Sequence, residues 1–93
     1  MNIKDKVRDF VLNYIGENTV SDSDNMFELG VVNSLFGMQL IRFVEDEFDI
    51  SVSNDDMDIE NFKSIDAITD LITRIKNNWK EVLQWAKKKL LYY

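Results

Sequence analysis

Gly30-Val31-Val32-Asn33-Ser34-Leu35 decides how this 93-residue chain is read. The glycine closes a polar stretch, Asn33 brings a side-chain oxygen, and an amphipathic helical run starts at once and continues through Phe48. Asparagine caps helices well, so Ser34 falls in the first turn of that helix with its hydroxyl outside the core. That turn carries amides without intrahelical acceptors and the positive end of the helix dipole, which favours a phosphate attached to or resting on Ser34. A serine here is well placed to carry a phosphodiester.

Between Leu35 and Phe48 a step of about 100° per residue gathers Gly37, Leu40, Ile41, Val44 and Phe48 into one stripe, the expected core face. The opposite face holds Leu35, Met38, Gln39, Arg42, Glu45 and Asp46, with Ser34 at its edge. Leu35 and Met38 are apolar on the side the core does not need. Apolar groups ringed by charge mark contact surfaces, although single exposed apolar residues are also common. Phe36 and Phe43 lie between the faces and are expected to pack beneath the preceding loop or to flank whatever Ser34 carries. Glu45-Asp46-Glu47 occupies the C-terminal half, where negative charge opposes the dipole. A docking surface for basic partners and a merely solvated face both account for that run.

Upstream, Ile3, Val7, Phe10, Val11 and Tyr14 recur at helical spacing, and Gly16 is the expected stop. A long loop rich in Ser, Thr, Asn and Asp follows, in which Val20, Met26, Phe27 and Leu29 are expected to anchor it over the helices. Downstream, Ile50-Ser51-Val52 reads as an extended connector. Residues 54 to 62 read as a short acidic helix capped by Asn54 or Asp55, with Met57, Ile59 and Phe62 turned inward. Ser64 caps a last core helix carrying Ile65, Ile68, Leu71, Ile72 and Ile75. Two acidic stretches, from Asp22 and from Asn54, fail as calcium loops. The sixth and twelfth positions, which need glycine and glutamate, are Phe27 and Asn33 in one and Ile59 and Ile65 in the other.

From Lys76 onward, Trp79, Val82, Leu83, Ala86, Leu90 and Tyr93 share a helical face, with Lys80, Lys87, Lys88 and Lys89 around the remainder. This is an additional basic amphipathic helix, either separate or continuous with the one before. Such a helix can bind a membrane surface, fit a partner groove or lie on an acidic body, or be an appendage foreign to the domain. Docking to an enzyme partner is the expected role.

Composition bounds the function. The chain is 45% hydrophobic and 30% charged, as in an ordinary small globular domain, and residues 1–75 are expected to form it with 76–93 as an extension. There is no cysteine and no histidine, so zinc sites, thiolate nucleophiles and imidazole acid–base chemistry are excluded. The net charge of −6 divides into −10 for residues 1–75 and +4 for 76–93. A body so acidic repels nucleic acid and steers toward basic patches on proteins, or simply keeps the chain soluble. No segment has the length of a membrane span or the pattern of a signal peptide, and a cytoplasmic location is expected.

The box around Ser34 resembles that of acyl carrier proteins, where Gly-x-Asp-Ser-Leu marks the serine bearing a 4'-phosphopantetheine arm. Here one more residue separates glycine from serine, and Asn33 stands where aspartate is usual. Asn33 caps equally well but removes one negative charge beside the serine, which bears on which transferase recognises it. Phe27-Glu28-Leu29-Gly30, Phe43-Val44-Glu45-Asp46-Glu47-Phe48-Asp49-Ile50 and Phe62-Lys63-Ser64-Ile65-Asp66-Ala67-Ile68 extend the resemblance over residues 3 to 75. It implies an all-α bundle of three main helices and a short one. In it, Ser34 is flanked by Asn33 and Leu35, and partners dock on Met38, Gln39, Arg42, Glu45 and Asp46. Ile65 and Ala67 either line an entrance where an acyl group shelters or simply pack in the core.

The resemblance further implies that a phosphopantetheinyl transferase attaches the arm from coenzyme A, and that its thiol holds acyl groups as thioesters. Acyl-loading enzymes, acyltransferases, ketosynthases or dehydrogenase-type enzymes then act on them. Without a histidine or a suitable lysine beside Ser34, no catalysis by the chain itself is expected. The start at Met1 without a Pro- or Ala-rich linker suggests a discrete carrier, and a monomer is expected. The Asn33-Ser34-Leu35-Phe36 context is similar to small carriers that bring unusual extender units to polyketide or hybrid peptide assembly, more than to those of fatty acid synthesis. The rival reading is an unmodified helical adaptor that binds through its acidic face and basic tail.

Overall fold

The computed structural model describes residues 2–16, 20–30 and 33–91, without the side chains of 79–81, 90 and 91. The helices are α1 (Ile3–Ile15), α2 (Ser34–Phe48), α3 (Ile59–Phe62) and α4 (Ile65–Leu91), with a 3-10 turn at Asn54–Asp56 before α3. No strand occurs among the described residues. The protein is the all-α bundle expected from its periodicities.

Helix α1 begins where the Asn2 side chain accepts the Asp5 N–H at 2.8 Å. It stops at Gly16, whose φ of 79° is left-handed and whose N–H donates to Leu12 O. Val7 and Val11 are fully buried, while Ile3, Phe10, Leu12 and Ile15 pack at the core's margin. Tyr14, expected on the apolar face, is 38% exposed and meets the edge of Phe36 at 4.6 Å.

Helix α2 buries Phe36, Leu40, Val44 and Phe48. Residues four apart drift by about 40° against the 3.6-residue turn, so this set forms a slanting ridge rather than a straight stripe. The slant corrects two expectations. Phe36, placed at the boundary, is 2% exposed and central, whereas Gly37 and Ile41 are only half-buried. Phe43 is half-buried and stacks on Phe10 at 4.3 Å, tying α2 to α1.

The loop after α1 is held by α1 and by the start of α4. Val20 and Met26 are buried as expected, and the Met26 N–H donates to Lys63 O at 2.7 Å. Phe27 and Leu29 instead point outward, 40% and 53% exposed. The Asn25 side chain accepts the N–H groups of Phe27 and Glu28, and the tight turn that results leaves only Met26 facing the core. Asp22 accepts from Arg8 Nε at 2.8 Å and Nη2 at 2.6 Å, and its carbonyl accepts the Asp66 N–H at 3.0 Å. The expectations for Glu17, Asn18 and Thr19 lie outside the described residues, as do those for Val31 and Val32.

The short helix differs from the expected one. Asp58, not Asn54 or Asp55, caps α3 by accepting the Glu60 N–H at 3.0 Å, and the turn before it is 3-10. The break reorients the chain, so Met57 and Ile59 are 50% and 61% exposed and only Phe62 is buried.

Helix α4 starts behind Ser64, whose hydroxyl accepts the Ala67 N–H at 3.0 Å. Ile65, Ile68, Leu71 and Ile72 close the core and Ile75 packs at its margin. The helix then runs on without a break for 27 residues in all, so the basic extension continues α4. The chain spans 54 × 27 × 20 Å. Expectations for the side chains of Trp79, Lys80 and Leu90, and for Tyr92 and Tyr93, fall outside the described residues.

Candidate functional site

The start of α2 is built by Asn33, whose backbone is extended (φ −139°, ψ −177°) and whose side-chain oxygen accepts the Phe36 N–H at 2.9 Å. Its carbonyl accepts the Gly37 N–H at 2.9 Å. Those two bonds satisfy two of the four first-turn amides. The amides of Ser34 and Leu35 have no acceptor within the helix. Ser34 is the first helical residue and is exposed, as are Asn33 and Leu35, the latter at 59%. Phe36, one residue further, is buried and fixes the helix start against Phe10 and Tyr14. The hydroxyl is therefore carried outward on a turn whose next residues are anchored in the core.

A phosphodiester suits this position. It would meet the positive end of α2 and two amides with no acceptor among the described residues, and no acid lies in the helix's first turn to repel it. A Cβ added at Gly37 would meet nothing within 4 Å, so the outer surface of that turn is open.

Further along α2 the remaining expected residues separate into two groups. Gln39, Arg42 and Asp46 line a shallow groove with Phe10, Phe43 and Glu47. Arg42 Nε lies 3.9 Å from Asp46 Oδ2 with both side chains largely exposed, a contact too loose and too wet to fix either one. Met38 is 71% exposed outside that groove. Glu45 is half-buried, and its Oε2 accepts the Val52 N–H at 3.0 Å. One oxygen of Glu45 thus holds the connector after α2, and only the other can face a partner. Ile65 is fully buried and Ala67 half-buried, which makes Ile65 a core residue in this arrangement.

The expectation that Phe27, Leu29, Met57 and Ile59 lie in the core misses four exposed apolar residues available to a partner or a carried group. The sequence does hold the signals, in Asn25 and Asp58, residues that form local turns and caps and can redirect the chain.

Ion pairs on α1, α3 and the start of α4 support the frame. The Arg8 guanidinium, donating to Asp22, holds that carboxyl below its ordinary value, and the same contacts together with Asp5 raise Arg8. Lys63 is raised by its 2.7 Å bond to Glu60, and Lys4 by Asp66. Among the described residues no group of three or more His, Cys, Asp or Glu could hold a metal ion, and no helix is long and apolar enough to cross a membrane.

No curated protein matches the chain significantly. The family model described as the phosphopantetheine attachment site matches residues 5–72, well over half of the chain, and the protein therefore belongs to that family of carriers with a 4'-phosphopantetheine prosthetic group.

Proposed function

We propose that Ser34 bears the 4'-phosphopantetheine arm. The chain presents acyl intermediates or extender units to partner enzymes in polyketide or hybrid polyketide/peptide biosynthesis, without catalysing a reaction itself. The observation that carries this reading is the position of Ser34, exposed at the first position of α2 inside the matched residues. When attached, the arm supplies a thiol that holds acyl groups as thioesters. The protein's own residues supply address and orientation. Ser34 would hold the arm's root, and the amides of Ser34 and Leu35 would be donors for its phosphate. Asn33 keeps the turn rigid, and Phe36 prevents the helix start from fraying.

The outer face of α2 is the proposed docking surface. Met38 offers an apolar contact, Gln39, Arg42 and Asp46 line the groove beside it, and Glu45 adds its second oxygen. The phosphopantetheinyl transferase and the acyl-loading, acyltransferase, ketosynthase or dehydrogenase-type enzymes would all approach this face. Basic patches on them complement the acidic body. The resemblance of the Asn33-Ser34-Leu35-Phe36 context to discrete extender-unit carriers supports the pathway over fatty acid synthesis.

Intact-mass spectrometry after incubation with coenzyme A and a broad-specificity transferase tests the reading. The wild type gains the mass of one phosphopantetheine and Ser34→Ala gains none. Labelling that survives Ser34→Ala would move the arm to another residue, and no labelling of the wild type would leave the unmodified adaptor.

A further inference from the structure

The apolar stripe of α4 does not end where the bundle ends. At about 100° per residue, Ile65, Ile68, Leu71, Ile72 and Ile75 continue in the same angular sector into Val82, Leu83 and Ala86. The first group is covered by the body. In the second, Val82 is 51% and Leu83 44% exposed, and neighbouring Trp85 is 63% exposed. Lys87, Lys88 and Lys89 follow, all exposed. The chain has no proline, and α4 is unbroken to Leu91, so this stripe cannot bend back to be covered by its own body.

At the root of the same stripe lies a half-open groove lined by Asp49, Ile50, Ser51 and Asp56 from the connector and by Ile75, Asn78 and Val82 from α4. Ile50, Ile75 and Val82 give it an apolar lining, and Asp49 and Asp56 bring two carboxylates to it. Its chemistry is the complement of the helix tip, where Lys89 follows Val82, Leu83 and Ala86 in the same angular sector.

We propose that α4 is a self-association surface on which two copies of this chain pair antiparallel, the tip of each helix lying in the groove at the root of the other. The register follows from helix geometry. With the two-fold axis near Val82, Lys89 of one copy lies about 10 Å along the helix from the axis, opposite Ile75 of the other. Ile75 lines the groove together with Asp49 and Asp56. Val82 and Leu83 of each copy then cover one another, Ala86 of one lies beside Asn78 of the other, and Lys89 meets the carboxylates. A contact of a few helical turns per chain is at the small end of specific interfaces, so the dimer forms in a concentration-dependent and salt-sensitive way. A second copy is favoured over an enzyme partner because this chain itself supplies the complementary groove at the required spacing.

Analytical ultracentrifugation of the full chain is the first test. At low salt the mass should rise with concentration toward twice the 11.0 kDa of one chain, and fall back near 1 M salt, where screening acts within about 3 Å. Leu83→Asp should remain a single chain at every concentration with unchanged helical circular dichroism. Because the protein has no cysteine, introduced pairs map the register. Asn78→Cys mixed with Ala86→Cys should cross-link, and Ala86→Cys alone should not, its two copies lying about 12 Å apart along the axis. A monomer under all conditions overturns the proposal, as does a dimer indifferent to Leu83→Asp or a preference for the Ala86→Cys homodimer. Binding of a strictly monomeric chain to anionic vesicles or to an enzyme through this helix overturns it in favour of that partner.

Discussion

Asn33 links folding to the proposed chemistry at the scale of one residue. Its oxygen accepts the Phe36 N–H across three residues, and Ser34 is held in the turn so closed. Asn33→Ala should cost about 1 kcal/mol, read as a lower urea midpoint, and should also slow labelling at Ser34 by the transferase. Asn33→Asp keeps the cap and should retain the midpoint. This contact is legible in the sequence because its reach is local. The pairing of Arg8 with Asp22 is not, because fourteen residues separate them and only the folded loop brings them together. It carries a pH signature. Asp22 titrates below its ordinary 3.8 when folded, so its stabilisation is fully present above that value and is lost as pH falls through the lowered one. The gap in urea midpoint between wild type and Asp22→Asn should be constant near neutrality and close in strong acid. A gap that widened in acid would reverse the assignment.

Among the elements, α2 places both the proposed attachment point and much of the core, and its substitutions should sort by burial. Phe36→Ala empties a 2% exposed position and should cost about 3–5 kcal/mol, a large part of the roughly 5–15 kcal/mol typical of a domain. Phe43→Ala removes a half-buried ring stacked on Phe10 and should cost less, while Met38→Ala should change stability by no more than about 0.5 kcal/mol. Equal costs for Phe36 and Phe43 in urea titrations would contradict the slanting ridge. A helical wheel finds the helix and its exposed face but misplaces Phe36, because the wheel assumes a neighbour parallel to the axis. The misassignment of Met57 and Ile59 has another origin. A single continuous helix over 54–62 would turn both inward, but the Asp58 cap resets the phase in its middle.

For the whole molecule, the decisive asymmetry is between a body of charge −10 and an extension of charge +4 on one uninterrupted helix. The charge division is visible in the sequence, whereas the continuity is not, since no proline, glycine or capping pattern near Lys76 decides it. Beyond Ile75 no described side chain is buried, and a cut there chiefly removes Lys76, whose Nζ lies over the Phe48 ring at 5.8 Å. We therefore propose that residues 1–75 fold alone. A chain ending at Ile75 should unfold cooperatively in urea with a loss of about 1 kcal/mol and should still be labelled at Ser34. A truncated chain that is unfolded in buffer would mean that the extension belongs to the domain's stability. A folded but unlabelled one would mean that the transferase reads the basic helix as well as α2.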